Sequence, residues 1–305
     1  MPVKKSATAV KRRKKEVMED VVRVVIPHVA FVGNGAVLRL LGEFVASGVV
    51  AHAYGFFGPV QVGKTRAAQE FAMMLLECDW GRLATHPDLV MMDAESDEVS
   101  VVVMREVVGK LSQSPLYAKR RVAVIANAEL LSADAANTLL KTLEEPRGNA
   151  VMILTSSRED VLLPTVVSRL AVVRFGSVSE GEMSGMGLNR EVMALAQGAP
   201  GRALRLQYEP ELLVKMTRMT EWWERIATQS VAERFVVLDE FMSGTTVFGE
   251  LQKMAGTLLD AGEYVCGRSS ERNVAMVRVI IEARRLLAQN AQPRAVMEWV
   301  VTNVV

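Results

Sequence analysis

The sequence predicts an α/β protein in which helices cover both faces of a parallel sheet, followed by an all-helical C-terminal part. Three observations support this prediction. Short apolar runs that suit buried strands alternate with helical patterns through residue 175. A glycine-rich loop joins the first of these strands to the helix after it. From about residue 177 the strand signals stop, and helical periodicity continues to the end of the chain.

The elements follow one another in a regular order. Apolar residues at helical spacing over Val37–Val45 predict a helix that stops at Ser47–Gly48. Ala53–Phe57 is short and apolar, as buried strands are, and the glycine loop leads from it into a helical pattern over Thr65–Cys78. The remaining predicted strands are Leu89–Met92, Arg121–Ile125, Val151–Thr155 and Ala171–Phe175, and the helices between them are Val101–Leu111 and Ala133–Leu143.

Composition excludes several classes of protein. Hydrophobic residues make up 50% of the chain, which is enough for ordered cores. Cys78 and Cys266 lie far apart and form no CxxC pair, so we expect neither a disulfide framework nor a zinc site. No apolar run is long enough to span a membrane, and the N-terminus does not resemble a secretory signal. We therefore expect a cytoplasmic protein.

The overall net charge is +1, which gives no electrostatic case for nucleic-acid binding by the protein as a whole. The beginning of the chain is different, because 7 of its first 15 residues are Lys or Arg. Self-repulsion predicts a disordered basic tail over residues 1–20. Two roles for it stay open: contact with nucleic-acid phosphates, or a solubilising tail without a partner.

The stretch Gly58–Thr65, GPVQVGKT, fits the phosphate-loop pattern GxxxxGK[ST]. Its glycines let backbone N–H groups surround phosphates, and the helix that follows adds partial positive charge. Lys64 would reach the terminal phosphates, and the Thr65 hydroxyl would bind magnesium. Because the pattern lies between a predicted strand and a helix, we expect ATP with Mg²⁺ here, held by Gly58, Pro59, Gln61, Val62, Gly63, Lys64 and Thr65.

The acidic residues that hydrolysis requires are missing from their expected place. A phosphate-loop ATPase holds magnesium through an acidic residue at the end of a neighbouring strand. Here that position and the next are Ala126 and Asn127, which supply neither a metal ligand nor a base. Glu129 comes two residues later, where we expect the turn to carry it away. Asp93 and Glu95, after an earlier strand, are a weaker alternative pair, so the sequence predicts defective hydrolysis.

Several stretches resemble the ATPase domains of bacterial clamp loaders, within the AAA+ family. They are AHAY at Ala51–Tyr54, HPDL at His86–Leu89 and, above all, LLSADAANTLLKTLEEP at Leu130–Pro146. The last is similar to a segment characteristic of delta-prime and gamma/tau subunits. Leu154–Ser156 resembles the family's sensor 1 segment, which implies that Thr155 contacts nucleotide.

Two further motifs carry residue roles implied by the resemblance. Pro164–Leu170, PTVVSRL, resembles the SRC motif, whose arginine reaches ATP bound by the neighbouring subunit, so Arg169 would be an arginine finger acting in trans. Gly198–Leu204 is similar to the sensor 2 region, with Arg202 as its basic residue. The resemblance extends well over residues 33–206 and recognisably over 275–305.

The resemblance implies an AAA+ nucleotide-binding domain at 21–175, a helical lid domain at 176–208 and a helical collar domain at 209–305. It further implies a hetero-pentamer with gamma/tau-like and delta-like subunits, acting on a sliding clamp and contacting primer-template DNA through phosphates. The chain departs from the family at Glu77–Arg82, which is too short for the usual four-cysteine zinc module. Leu170 replaces the usual cysteine of the SRC motif.

Three rival functions remain open. The chain would be a gamma/tau-like motor ATPase if another acidic residue served the site. It would be a non-enzymatic AAA+ interaction module if Arg169 affected no partner. It would be a nucleic-acid-binding protein led by its tail if deletion of residues 1–15 abolished binding.

Overall fold

The computed structural model describes residues 31–93, 99–146, 149–243, 248–267 and 273–304. The predicted basic tail at 1–20 and Glu95 lie outside these ranges. The chain forms two compact units. The first runs to Gly185 and includes Gly198–Gly201, and the second comprises Met186–Gln197 and the chain from Arg202 onward.

The first unit contains a five-stranded sheet in the order β2-β3-β4-β1-β5. All neighbouring strands in it are parallel. This confirms the predicted α/β class. The register brings the carboxyl ends of the strands to one edge, with Phe57 opposite Ser156 and Asp93 opposite Ala126. The strands are β1 Ala53–Phe57, β2 Leu89–Asp93, β3 Arg121–Ala126, β4 Ala150–Ser156 and β5 Ala171–Arg174.

Helices lie between these strands, as predicted. Gly48 ends the first described helix with a φ of 74°, the left-handed conformation that glycine adopts without steric cost. The α-helices of the first unit are Gly35–Ser47, Lys64–Leu76, Trp80–Leu83, Val101–Leu111, Ala133–Glu144, Pro164–Val167 and Glu180–Met183, with 3₁₀ turns at Ala128–Leu130 and Ser184–Met186.

Each face of the sheet has its own hydrophobic core, because successive side chains along a strand point to opposite faces. Tyr54 and Phe56 pack on one face with Phe71, from the helix after the phosphate loop. Ala53 and Phe57 contribute to the core on the other face. Burial of both faces explains why the strands read as unbroken apolar runs.

A buried carboxylate connects two segments of the chain at the end of the sheet where β2 and β3 begin. Asp88 is fully buried and accepts backbone N–H groups from Leu116, Tyr117 and Ala118 at 2.7, 2.8 and 2.9 Å. Arg121 pairs with it at 3.6 Å. Burial alone would raise the pKa of Asp88, but these donors and the Arg121 charge hold it below its usual value.

The second unit is helical throughout its described part. Trp222 and Trp223 are buried there, and Nε1 of Trp223 donates to the carbonyl oxygen of Leu258 at 2.5 Å. No described helix is long and apolar enough to cross a membrane. The α-helices of this unit are Arg190–Ala196, Pro200–Tyr208, Pro210–Ile226, Val231–Met242, Phe248–Gly267, Asn273–Ala288 and Pro293–Asn303.

Candidate nucleotide site

The phosphate loop connects β1 to the helix Lys64–Leu76 through backbone conformations that favour glycine. Gly58 and Gly63 have φ values of 151° and 102°. A Cβ on Gly58 would lie 2.3 Å from the carbonyl oxygen of Phe175, so a side chain cannot be accommodated there without displacing backbone. Gln61 is also left-handed, at 63°. The loop therefore has the tight, positive-φ backbone that phosphate loops need.

Lys64 bends back over this loop. Its Nζ donates to the carbonyl oxygens of Gly58 and Pro59, both at 2.7 Å, and the residue is only 8% exposed. Burial lowers the pKa of Lys64 to about 8, and the negative charge of Glu129 acts in the opposite direction. A buried cation with this environment is suited to an anionic ligand.

The other loop residues act through backbone or position. Val62 is completely buried in the core, so only its backbone faces the loop. Gly63 is the N-terminal cap of the helix, so no capping side chain accepts hydrogen bonds from the N–H groups of the first turn. The Gln61 carbonyl accepts the N–H of Gly201 at 2.9 Å. Thr65 is the second residue of the helix, where its hydroxyl is suited to a phosphate-bound magnesium ion. These features fit a nucleoside triphosphate with Mg²⁺.

The end of β3 is neutral, as the sequence predicts. Ala126 is fully buried beside Asp93 in the sheet register. Asn127 is left-handed at a φ of 54°, and its Nδ2 donates to Oδ1 of Asp93 at 3.0 Å. Its backbone N–H donates to the hydroxyl of buried Thr155 at 3.3 Å. Asn127 thus links the ends of three neighbouring strands and adds no charge.

The position of the Glu129 side chain differs from the one that we expected. We expected the turn after β3 to carry it away from the site, and this is wrong. Its Oε1 accepts the N–H of Ser157 at 3.1 Å, just beyond the end of β4, and its charge acts on Lys64. Its Oε2 is buried without a hydrogen-bond partner in the described part of the chain. The 3₁₀ turn Ala128–Leu130 keeps this carboxylate at the phosphate-loop edge of the sheet.

Arg169 lies in a different setting. It follows the short helix Pro164–Val167 and pairs with Glu144, Nη2 to Oε1, at 2.7 Å. Its Nη1 donates to the carbonyl oxygen of Thr165 at 2.7 Å. None of the hydrogen bonds found among the described residues joins Arg169 to the phosphate loop.

The remaining predicted residues have ordinary contacts. Arg202 lies on the helix Pro200–Tyr208 and donates to Oε1 of Gln197 at 3.2 Å. His52 contacts the carbonyl oxygen of Leu143 at 3.2 Å, and Nδ1 of His86 accepts the N–H of Asp88 at 3.1 Å. Both histidines are therefore engaged with backbone groups of their own chain.

The short segment that replaces the family's zinc module has its own anchor. The Arg66 guanidinium lies 3.4 Å from the ring centroid of Trp80 and also pairs with Glu70 at 2.5 Å. Burial raises the pKa of the Cys78 thiol. Within the described ranges, no three His, Cys, Asp or Glu side chains are grouped in a way that could hold a metal ion. Sequence reasoning missed this stack, because Arg66 and Trp80 belong to two different helices, Lys64–Leu76 and Trp80–Leu83.

Comparison with known proteins finds relatives for the segment that carries this geometry. A family model described as DNA polymerase III, delta subunit, matches residues 33–179. These residues make up less than half of the chain, and the match shows a resemblance of this segment alone. Subunit delta′ of Pseudomonas aeruginosa is 34% identical over 182 residues, which are 51% of this chain and 56% of that protein. The resemblance to delta-prime subunits is thus confirmed for this delta-type segment.

Other relatives agree on the same segment. Subunit delta′ of Bacillus subtilis is 26% identical over 46% of each chain, and subunit tau of that bacterium is 30% identical over 45% of this chain and 27% of its own. The chain therefore spans about half the length, or less, of these curated relatives.

A solved structure supports the fold over more of the chain. A DNA polymerase III gamma subunit-related protein of Thermotoga maritima superposes with a TM-score of 0.59 at 17% identity. The match covers 87% of this chain and 97% of that one. At this identity it shows the fold alone.

Proposed function

We propose that this chain is a delta-prime-type clamp-loader subunit acting in DNA replication in the bacterial cytoplasm. It binds ATP with Mg²⁺ at the phosphate loop and turns it over slowly or not at all. It supplies Arg169 to the nucleotide of a neighbouring ATPase subunit. One observation carries the proposal: a complete phosphate loop with buried Lys64 lies at the same edge of the sheet as the end of β3, where the residues are Ala126 and Asn127.

The proposal assigns the remaining parts by the same resemblance. Thr155 and Arg202 would contact the nucleotide, the residues 176–208 would form the lid, and 209–305 would join a collar in a hetero-pentamer with gamma/tau-like and delta-like subunits. The assembly would open a sliding clamp and release it on primer-template DNA. DNA contacts by this subunit would be made to phosphates, without base reading.

The test is Arg169→Ala in a loader reconstituted from the subunits of the same bacterium. We expect ATP hydrolysis by the assembly to fall at least about tenfold, because an arginine finger stabilises the charge of the transferring phosphoryl group. Arg174→Ala is the matched control, since Arg174 is also a surface arginine in an ion pair, with Glu159 at 2.7 Å. Hydrolysis unaffected by Arg169→Ala would favour a non-enzymatic interaction module.

A motor subunit is the second candidate, and Glu129 is the observation that favours it. A carboxylate oxygen without a hydrogen-bond partner, near Lys64, is available to a metal-bound or attacking water. This candidate requires Mg²⁺-dependent turnover by the isolated chain, abolished by Glu129→Gln. Tight ATP binding without turnover would exclude it and support the delta-prime role.

A further inference from the structure

The guanidinium group of Arg169, which is the part that recognises phosphate, forms hydrogen bonds within its own chain. Nη2 donates to Glu144 at 2.7 Å, and Nη1 donates to the Thr165 carbonyl oxygen at 2.7 Å and to the Ser168 hydroxyl at 3.4 Å. The two terminal nitrogens form one edge of the guanidinium fork that binds a phosphate through paired hydrogen bonds. A phosphate from outside must therefore compete with groups that are already in place.

Glu144 stands where a helix disfavours an acidic residue. It is the last residue of the helix Ala133–Glu144, and Glu145 follows as the C-terminal cap. Carbonyl groups without helical partners concentrate negative charge at this end, so cations are preferred there. Arg169 supplies a cation from the turn that follows the helix Pro164–Val167. The contact between Glu144 and Arg169 therefore accounts for a carboxylate that the helix itself does not favour.

The strength of this contact decides what it can do. The two side chains are 34% and 51% exposed, for Arg169 and Glu144 respectively. An ion pair with that exposure shifts an equilibrium by up to about fivefold. A phosphate carries more charge and offers three acceptor oxygens, so it competes well for the same donors. The Glu144 contact can bias Arg169 toward its own chain but cannot lock it there.

We infer that Glu144 is the counter-ion that holds Arg169 on its own chain until a phosphate group of a neighbouring subunit's nucleotide displaces it. The inference rests on the proposed function of Arg169. Glu144 is a positioning residue in this scheme, since it acts through Arg169 and touches no nucleotide. Removing its charge makes Arg169 available at a lower nucleotide concentration.

The experiment compares Glu144→Gln with the wild-type chain in the reconstituted loader, over a range of ATP concentrations. We expect kcat/KM for ATP hydrolysis to rise up to about fivefold, the range of an exposed ion pair. The gain should shrink as salt is raised, because salt screens exposed charges. Glu145→Gln is the matched control: it removes the same charge one residue later, where no ion pair is found among the described residues.

A second variant separates the inference from the function on which it rests. In an Arg169→Ala background, Glu144→Gln should change nothing, and both proteins should show the same low rate. If Arg169→Ala abolishes hydrolysis but Glu144→Gln leaves kcat/KM unchanged or lowers it, the counter-ion role is wrong and the arginine finger stands. If Arg169→Ala has no effect, the proposed function fails and the inference fails with it. Thermal unfolding of each isolated variant checks that it folds.

Discussion

The phosphate loop and the end of β3 lie at the same edge of one sheet, yet only the loop has the residues that an ATPase of this type requires. The loop has its glycines in left-handed conformations and a buried lysine. The strand end has a buried alanine and a neutral asparagine. Asn127 fills its position with hydrogen bonds to Asp93 and Thr155, so the end of β3 is ordered although neither Ala126 nor Asn127 is acidic. The comparison indicates that the residues suited to binding nucleotide and the residues that turnover would require occupy separate positions on this edge.

The strongest test of the loop is Lys64→Ala. We expect the affinity for Mg-ATP to fall on the order of 100-fold, because charge-assisted hydrogen bonds to phosphate are lost. Titration with a fluorescent ATP analogue measures this in the isolated chain. Unchanged affinity would contradict the assignment of the site. Lys119→Ala, which changes a lysine paired on the surface with Glu77, is the control.

Nucleotide affinity should also fall as the pH rises through 8. The pKa of Lys64 is lowered to about 8 by burial. Bound phosphates favour the charged lysine and raise its pKa, so binding takes up a proton above pH 8. Between pH 7 and 9 we expect affinity to drop by up to about tenfold, as the protonated fraction does. Lys64→Arg should lack this drop, since arginine keeps its charge.

Glu129→Gln sharpens this pH measurement. The charge of Glu129 raises the pKa of Lys64, so its removal should move the decline in affinity to lower pH. The glutamine carbonyl can still accept the N–H of Ser157. Glu129→Ala removes both the negative charge and the acceptor for the Ser157 N–H, and it serves as the comparison. An unmoved midpoint in both variants would mean that Glu129 does not act on Lys64.

The smallest expected effect comes from the strand end. Asn127→Asp keeps the size of the side chain, and aspartate tolerates the φ of 54° as asparagine does. A carboxylate there should increase the contribution of Mg²⁺ to ATP affinity by about fivefold, because magnesium is held by one or two carboxylates plus phosphates. The affinity is compared with and without Mg²⁺. Asp93→Asn in the same background tests whether repulsion from Asp93 limits the gain.

The features predicted best from the sequence are those determined by residues close together in the chain. The loop pattern predicted the strand, loop and helix around Gly58–Thr65, and the apolar runs predicted all five strands, because glycine conformations and buried faces leave local signals. The C-terminal helices were predicted less well: the break before Val231 was missed, although Ser230 and Glu233 form a capping box that the sequence displays. The capping box was present in the sequence and was overlooked.

Contacts between distant residues left no such signal. The pairing of Glu129 with Ser157 spans 28 residues, and that of Arg169 with Glu144 spans 25. Whether such side chains meet depends on how helices and turns orient them after the sheet has formed. The position of Glu129 was therefore predicted wrongly, and the partner of Arg169 was not predicted at all.

The buried carboxylate of Asp88 has a consequence for how the sheet opens. Its three N–H donors lie 28 to 30 residues further along the chain, in the segment that enters β3. Tyr117 in that segment is 83% exposed, so its surface alone would suggest rapid exchange of amide hydrogens with water. The hydrogen bond to Asp88 instead couples that amide to the edge strand β2. The segment should open together with this strand, as part of one cooperative folding unit.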